Sequence, residues 1–233
     1  MRTTVCLVSG GMDSATVLWA ALSRGDRVVA VNVRYGQRGM RYESEAVRDL
    51  VEAAAARFGR DHVEALFVQT DLIRSLCAAS ALLDTSAALD SMAKRKGLAA
   101  TVVPARNLVL VSIASIVAFE RDADVVAIGV HHDDASDYPD THPEFVEALA
   151  RVVDRVHGRP LELWTPLLYM TKAEIVKWGT ELGVPWELTR SCYDARRSPC
   201  GKCGSCIKRA EAFAAVGIED PLVKTKSGRS KGA

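Results

Sequence analysis

The sequence has no long apolar run. Its most hydrophobic stretch, "NLVLVSIASIVAFE" at 107–120, is too short and too serine-interrupted to span a bilayer, which takes ~20 residues. An excess of one charge is missing too. The formal net charge is +1, giving no global reason to expect nucleic-acid or membrane binding. No cleavable leader is evident, because Arg2 is followed by only six apolar or threonine positions before a Ser-Gly-Gly turn. Nor are the cysteines spread as a secreted disulfide framework would spread them. Four of the six, Cys192, Cys200, Cys203 and Cys206, crowd into the C-terminal part, while Cys6 and Cys77 stand alone. The expectation is a cytoplasmic globular protein.

What is present is an ordinary globular composition, 48% hydrophobic and 25% charged over 233 residues. Short Val/Ile/Leu runs at 4–8, 27–33, 63–69, 124–130 and 161–164 read as strands. Helical periodicity marks 14–23, 41–58, 105–121, 143–157, 171–182 and 206–215. Continuous apolar strands alternating with helices predict a doubly wound α/β fold with a parallel sheet covered on both faces. Ligands of such folds bind at the carboxyl ends of the strands. The expected division is an α/β domain at 1–164, a small helical, cysteine-bearing end piece at 165–219 and a disordered basic tail at 220–233. Residues 70–101, rich in alanine and serine, break the rhythm and read as an irregular excursion that could serve as a lid.

The most informative stretch is "SGGMDS" at 9–14, between the first strand and the first helix. It lacks the lysine that follows the glycines of the common nucleotide-triphosphatase loop. Gly10 and Gly11 allow a tight turn and close approach to a ligand. Asp13 or Ser14 is expected to cap the helix, whose first N–H groups would face an oxyanion. The helix dipole contributes only ~0.3–1 kcal/mol, so several hydrogen bonds must supply the rest. Without a lysine of its own, the turn suits a departing pyrophosphate better than β/γ-phosphate transfer. A strand–helix turn with no ligand is the plainer alternative.

The cysteine spacing, Cys192-x7-Cys200-x2-Cys203-x2-Cys206, offers four thiolates with small residues between the last three. Four sulfurs around zinc leave no open position, so one structural zinc per chain is expected. Lys202, Lys208, Arg196, Arg197 and Arg209 would offset the negative charge. A redox or persulfide-carrying set, an iron–sulfur cluster and free thiols are the competing readings. The run "HHDD" at 131–134 looks like a metal cluster, but consecutive residues at a strand end rarely all face one ion. Cys6, inside the first strand, reads as a buried apolar residue.

"SGGMDSA" after the first strand resembles the pyrophosphate loop of the adenine-nucleotide α-hydrolase superfamily, the N-type ATP pyrophosphatases. "YGQR" at 35–38, "VPARN" at 103–107, "YPD" at 138–140, "PEF" at 143–145, "SCY" at 191–193 and "CGKCGSC" at 200–206 then follow in the order of the 7-cyano-7-deazaguanine synthase (QueC) family. The resemblance covers about residues 4–216. It implies a C–N-bond-forming ligase that converts 7-carboxy-7-deazaguanine, ammonia and ATP to the nitrile. Adenylated acid and amide intermediates would form on the way, with release of AMP and pyrophosphate. ATP would enter with Mg2+, and the family suggests a homodimer acting on small molecules, without direct nucleic-acid contact.

Carried over by position, the resemblance implies ATP contacts along Val8, Ser9, Gly10, Gly11, Met12, Asp13, Ser14, Ala15, Thr16, Val17 and Leu18. Ser14, Asp13, Lys172 and Arg106 are the expected catalytic residues, Arg106 and Lys172 as phosphate ligands. Arg38 is a third phosphate candidate, and Asp134 is expected near ATP-bound magnesium. Tyr35, Tyr138, Asp140 and His142 are the substrate candidates, the tyrosines by stacking. Three positions depart from the family: Gly39 where histidine is usual, Asp137 for a glycine and His142 for an arginine. Asp137 would tolerate a left-handed backbone, and His142 would weaken an anion contact near neutral pH. Two other functions remain: a related enzyme adenylating another acid or a tRNA base, and a catalytically idle zinc-bearing interaction module. An RNA enzyme is expected to carry an added basic domain, and none is visible.

Overall fold

The computed structural model describes residues 1–87, 89 and 93–222. Five parallel strands form the main sheet: β1 (Thr3–Leu7), β2 (Arg27–Arg34), β3 (Val63–Gln69), β6 (Val125–Ala127) and β7 (Glu162–Trp164), in the order β3-β2-β1-β6-β7. β4 (Lys94–Arg95) and β5 (Leu98–Ala99) make a separate antiparallel pair. The helices are α1 (Met12–Ser23), α2 (Met40–Phe58), α3 (Leu72–Leu76), α4 (Arg106–Glu120), α5 (Pro143–Val153), α6 (Lys172–Glu181) and α7 (Gly204–Ala215). All five expected strands and all six expected helices are present. No described helix is long and apolar enough to cross a membrane.

The central strands are buried almost end to end, as a sheet covered on both faces requires. Alternation sends Val5, Leu7, Val29 and Val31 to one face, with α4 and α5. Cys6, Val8, Val28 and Ala30 go to the other, with α1, α2, α6 and α7. Complete burial of a side chain such as Leu18 or Leu50 is worth roughly 1.5–3 kcal/mol. Ile175, Val176, Ala212 and Phe213 lie in this second core. The end piece is therefore fastened to the α/β part by shared apolar packing.

The sheet order reverses at β1. The chain leaves β1 for β2 on one side, while β6 pairs with its other side through Cys6 and Ala127. Such a switch point opens a crevice beyond the carboxyl ends of the two strands. The loops at 8–11 and 128–131 both rise there.

The excursion at 70–101 carries α3 and the β4–β5 pair, which the sequence pattern did not announce; residues 88 and 90–92 lie outside the described residues. Of the expected tail, Asp220 is fixed by two bonds from Arg209, and residues 223–233 lie outside the described residues.

Candidate active site

Gly10 sits at φ +85, and a Cβ there would stand 2.9 Å from Ala46 Cβ and 3.0 Å from the Glu43 carbonyl. Only glycine fits this turn. Its carbonyl accepts the Arg190 N–H at 2.6 Å. The expectation of an Asp13 or Ser14 cap is not met. Gly11 is the N-cap, in an extended conformation and without a side-chain cap. Its carbonyl accepts the Ala15 N–H at 3.0 Å, so the helix starts before either polar residue can act as cap. Ser14 Oγ instead donates to the Gly11 carbonyl at 3.1 Å and accepts the Ser9 N–H at 3.2 Å, closing the loop from inside. The helix therefore presents first-turn N–H groups with no side chain competing for them.

Asp13 reaches across the crevice instead. Lys172 Nζ donates to its Oδ2 at 2.6 Å. Lys172 is placed by a capping box at the start of α6, where the Thr171 hydroxyl accepts the Glu174 N–H and Glu174 accepts the Thr171 N–H. Such a cap is worth ~1 kcal/mol. The Lys172 N–H itself donates to Asp133 at 3.1 Å. Sequence distance is thus bridged by two helix starts facing one another.

At the end of β6, Gly129 allows close contact with α1: a Cβ would stand 3.0 Å from the Asp13 carbonyl carbon and 3.1 Å from the Ser14 nitrogen. Two residues on, His131 is 1% exposed. Its Nε2 lies 3.2 Å from Asp134 Oδ2 and 3.8 Å from Asp13 Oδ2. Lys208 Nζ donates to the other Asp134 oxygen. Burial works against ionisation of Asp134, but His131, Lys172 and the Lys208 hydrogen bond outweigh it and hold the carboxyl well below the usual range.

These groups line a cavity of about 550 Å³, within the ~300–1,000 Å³ usual for small-molecule sites. Of the expected residues, Val8, Ser9, Gly11, Met12, Asp13, Ser14, Tyr35, Arg106, Asp134, Tyr138 and Lys172 border it. Arg106 begins α4 just after Ala105, a non-glycine residue at φ +57. The guanidinium lies 5.8 Å from the Tyr138 ring centroid. Burial pushes the Tyr35 and Tyr193 hydroxyls up, opposed by the Arg106 charge.

Several expected contacts fall elsewhere. Ala15, Thr16, Val17 and Leu18 are fully buried in α1 and belong to the core, because the helix carries them away from the crevice. Arg38 donates to the carbonyls of Ala87, Ala81 and Asp84, the first at 2.6 Å, and so ties down the excursion. Asp140 accepts the Asn107 N–H at 2.9 Å at the start of α4. His142 is exposed and caps α5 by accepting the Glu144 N–H. None of these three lines the cavity. Asp137 does line it, but it is not among the residues with a left-handed backbone; its carboxylate pairs with Lys94 of β4 instead. Gly39 takes an ordinary backbone, with Glu43 Oε1 where a Cβ would come within 3.2 Å.

The sequence reading missed His131, Gln37, Glu43, Tyr193, Lys208 and Arg190, all in the lining. Two of the cations expected to offset the cysteine charge, Lys208 and Arg209, have other partners. Lys208 turns to Asp134, and Arg209 is buried against Asp220, Thr189 and the Trp186 carbonyl.

The four cysteines converge. Their sulfurs lie within 4.8 Å of one another, and among the described residues no other group of three or more potential ligands gathers so. All four are free thiols. Backbone N–H groups of Asp194 and Cys200 point at Cys192 Sγ, and that of Cys203 at Cys200 Sγ. Bonds from Cys203 and Cys206 draw the Cys192 thiol down. Such a donor set fits a tetrahedral all-sulfur zinc site.

The family model described as "Queuosine biosynthesis protein QueC" matches residues 3–217. The chain is 41% identical to the 7-cyano-7-deazaguanine synthase of Methanoculleus marisnigri over 227 residues, 95% of this chain and 98% of that one. With the 7-cyano-7-deazaguanine synthase of Persephonella marina, identity is 38%, over 94% and 96% of the two chains. Among solved structures, a 4-thiouridine synthetase–RNA complex with bound ATP is similar at a TM-score of 0.52 and 20% identity; 98% of this chain matches 54% of that one. The U34-tRNA thiolase NcsA of Methanococcus maripaludis, solved with its [4Fe-4S] cluster, matches at 0.51 and 19%, over 97% and 68%. These structural likenesses show the fold alone.

Proposed function

The chain belongs to the QueC family and is a ligase with 7-cyano-7-deazaguanine synthase activity, and we propose that the cavity at the β1–β6 switch point carries out both of its activations. The observation that supports this reading most is the Gly11-initiated helix, with unclaimed N–H groups facing Lys172 across the crevice.

The first-turn N–H groups and Lys172 receive the β- and γ-phosphates of ATP, which enters as its magnesium complex. A substrate carboxylate oxygen attacks the α-phosphorus in line, and pyrophosphate leaves. Ammonia attacks the acyl carbon, the C–O bond to AMP breaks, and the amide forms. The amide oxygen then attacks a second ATP. When its C–O bond to AMP breaks, the nitrogen sheds its remaining protons and the nitrile forms. One loop serves both rounds because each is the same displacement at phosphorus, and positioning does most of the work.

Arg106 receives a substrate anion beside Tyr35 and Tyr138; among the described residues it forms no ion pair with a carboxylate. One zinc, held by Cys192, Cys200, Cys203 and Cys206, plays a structural part, and the reduced thiols suit a cytoplasmic location. The chain pairs as a homodimer through α4. That helix has no charge between Arg106 and Glu120, yet Leu108, Ile116 and Phe119 are exposed, the first two lining a groove with the exposed Leu72.

Pyrophosphate exchange into ATP tests the site. Exchange that depends on 7-carboxy-7-deazaguanine supports it, and exchange unaffected by Lys172→Gln contradicts it.

A further inference from the structure

His131 has no role in the activation steps, yet it is the most confined polar side chain of the cavity. It is 1% exposed and lines the cavity; Nε2 faces Asp134 Oδ2 at 3.2 Å, while Nδ1 has no hydrogen-bond partner. Asp13 Oδ1, also buried, is likewise unpartnered. Buried polar atoms are rarely left so without a reason. The flanking carboxylates meet the ring at Nε2, so they supply no partner for Nδ1.

We infer that His131 receives the nitrogen nucleophile, accepting a hydrogen bond from ammonia and then a proton as the carbon–nitrogen bonds form. The inference rests on the adenylation site proposed above. An acid activated at the α-phosphate has its acyl carbon two bonds from phosphorus, and the pyrophosphate is bonded to the same phosphorus. A group acting on that carbon must therefore lie close to the loop that holds pyrophosphate. His131 meets this condition through its 3.8 Å approach to Asp13, which is set by the Gly129 contact with α1.

Chemistry narrows the choice further. In the first round the C–N bond forms, AMP leaves with the C–O electron pair, and nitrogen loses one proton. In the second it loses two as the triple bond forms. Lys172 and Lys208 are ammonium groups already donating to carboxylates, so neither can accept. With Nε2 turned to the carboxylates, His131 keeps Nδ1 to accept, and Asp134 and Asp13 stand ready to stabilise the imidazolium that results. They would also orient the ring, as carboxylates orient a general base elsewhere.

Hydroxylamine separates this role from activation. Its adduct is far more acidic than that of ammonia and releases its proton to water, so it traps the adenylate as a hydroxamate without a protein base. His131→Ala, matched to the parent in zinc content and melting temperature, should keep hydroxamate formation within about threefold. Nitrile formation from ammonia should fall by about 100-fold or more. His131→Gln fills the space and accepts a hydrogen bond but takes no proton. It should show the same loss in kcat with a smaller rise in KM for ammonia. Retention of both products in either folded variant would overturn the inference. So would parallel loss of both, which would place His131 in ATP activation. Failure of the unsubstituted enzyme to form any hydroxamate would instead reject the adenylation site itself.

Discussion

Lys172 Nζ and Asp13 Oδ2 meet at 2.6 Å, although 159 residues separate them. The contact joins the first turns of α6 and α1, so the lysine that meets the Ser-Gly-Gly turn's helix comes from a distant helix rather than from the loop. This supplies the cation whose absence from "SGGMDS" set the loop apart. Lys172→Gln should lower kcat/KM for ATP by at least about tenfold, or ~1.4 kcal/mol. The melting temperature should stay near that of the parent, because the pair is partly exposed and isolated pairs contribute little to stability. Steady-state kinetics with calorimetry on the same sample checks both.

The cysteine cluster packs against Tyr193, and Cys203 itself borders the cavity. Metal loss should therefore appear first as instability and then as lost activity. Structural zinc in small peptides is worth on the order of 10–16 kcal/mol. Cys203→Ser should give zinc-poor, protease-sensitive protein whose activity falls with the folded fraction. A stable, zinc-free and inactive Cys203→Ser protein would favour a redox role.

Arg38 is expected to act on structure alone. Arg38→Ala removes the bonds to Ala81, Asp84 and Ala87. Limited proteolysis should speed up within 81–101, while the KM for ATP changes less than about twofold. An ATP-specific defect with unchanged proteolysis would return Arg38 to the phosphate contacts.

The folded-state value of Asp134 lies below that of a free carboxylate: burial opposes its charge, but His131, Lys172 and Lys208 overcome that cost. It thus binds fewer protons when folded. Its stabilising effect is present above the unfolded value, ~3.9, and is lost as pH falls through the lower folded value. Asp134→Asn should flatten the acid side of the stability curve, measured by melting from about pH 5 down to the lowest pH at which the fold persists.

Much of this architecture can be read along the chain. Val5 to Val8, Val28 to Val33 and Val125 to Ala127 are local apolar signals, and the five-stranded sheet follows from them. Cys200, Cys203 and Cys206 carry their own spacing. The site is only half legible. Ser9 to Ser14 and Lys172 stand out through turn and capping chemistry, whereas His131 is one of two adjacent histidines in an acidic run. Nothing in that run says which histidine is buried. Tertiary contacts decide: the His132 N–H donates to Leu168, and Gly129 draws the strand end onto α1. Lys208 looked like a neighbour of the cysteines because helical phase alone could not show that it faces Asp134. Arg38 and His142 are likewise polar residues near a motif whose side chains bond the backbone around it.

Product analysis tests ATP-driven nitrile formation at this cavity most directly. Purified protein is incubated with ATP, ammonia and 7-carboxy-7-deazaguanine, and products are followed by mass spectrometry and nucleotide chromatography. The expected result is 7-cyano-7-deazaguanine, preceded by the amide, with two AMP and two pyrophosphates per nitrile. Release of ADP and phosphate, or nitrile formed without pyrophosphate, would contradict attack at the α-phosphorus.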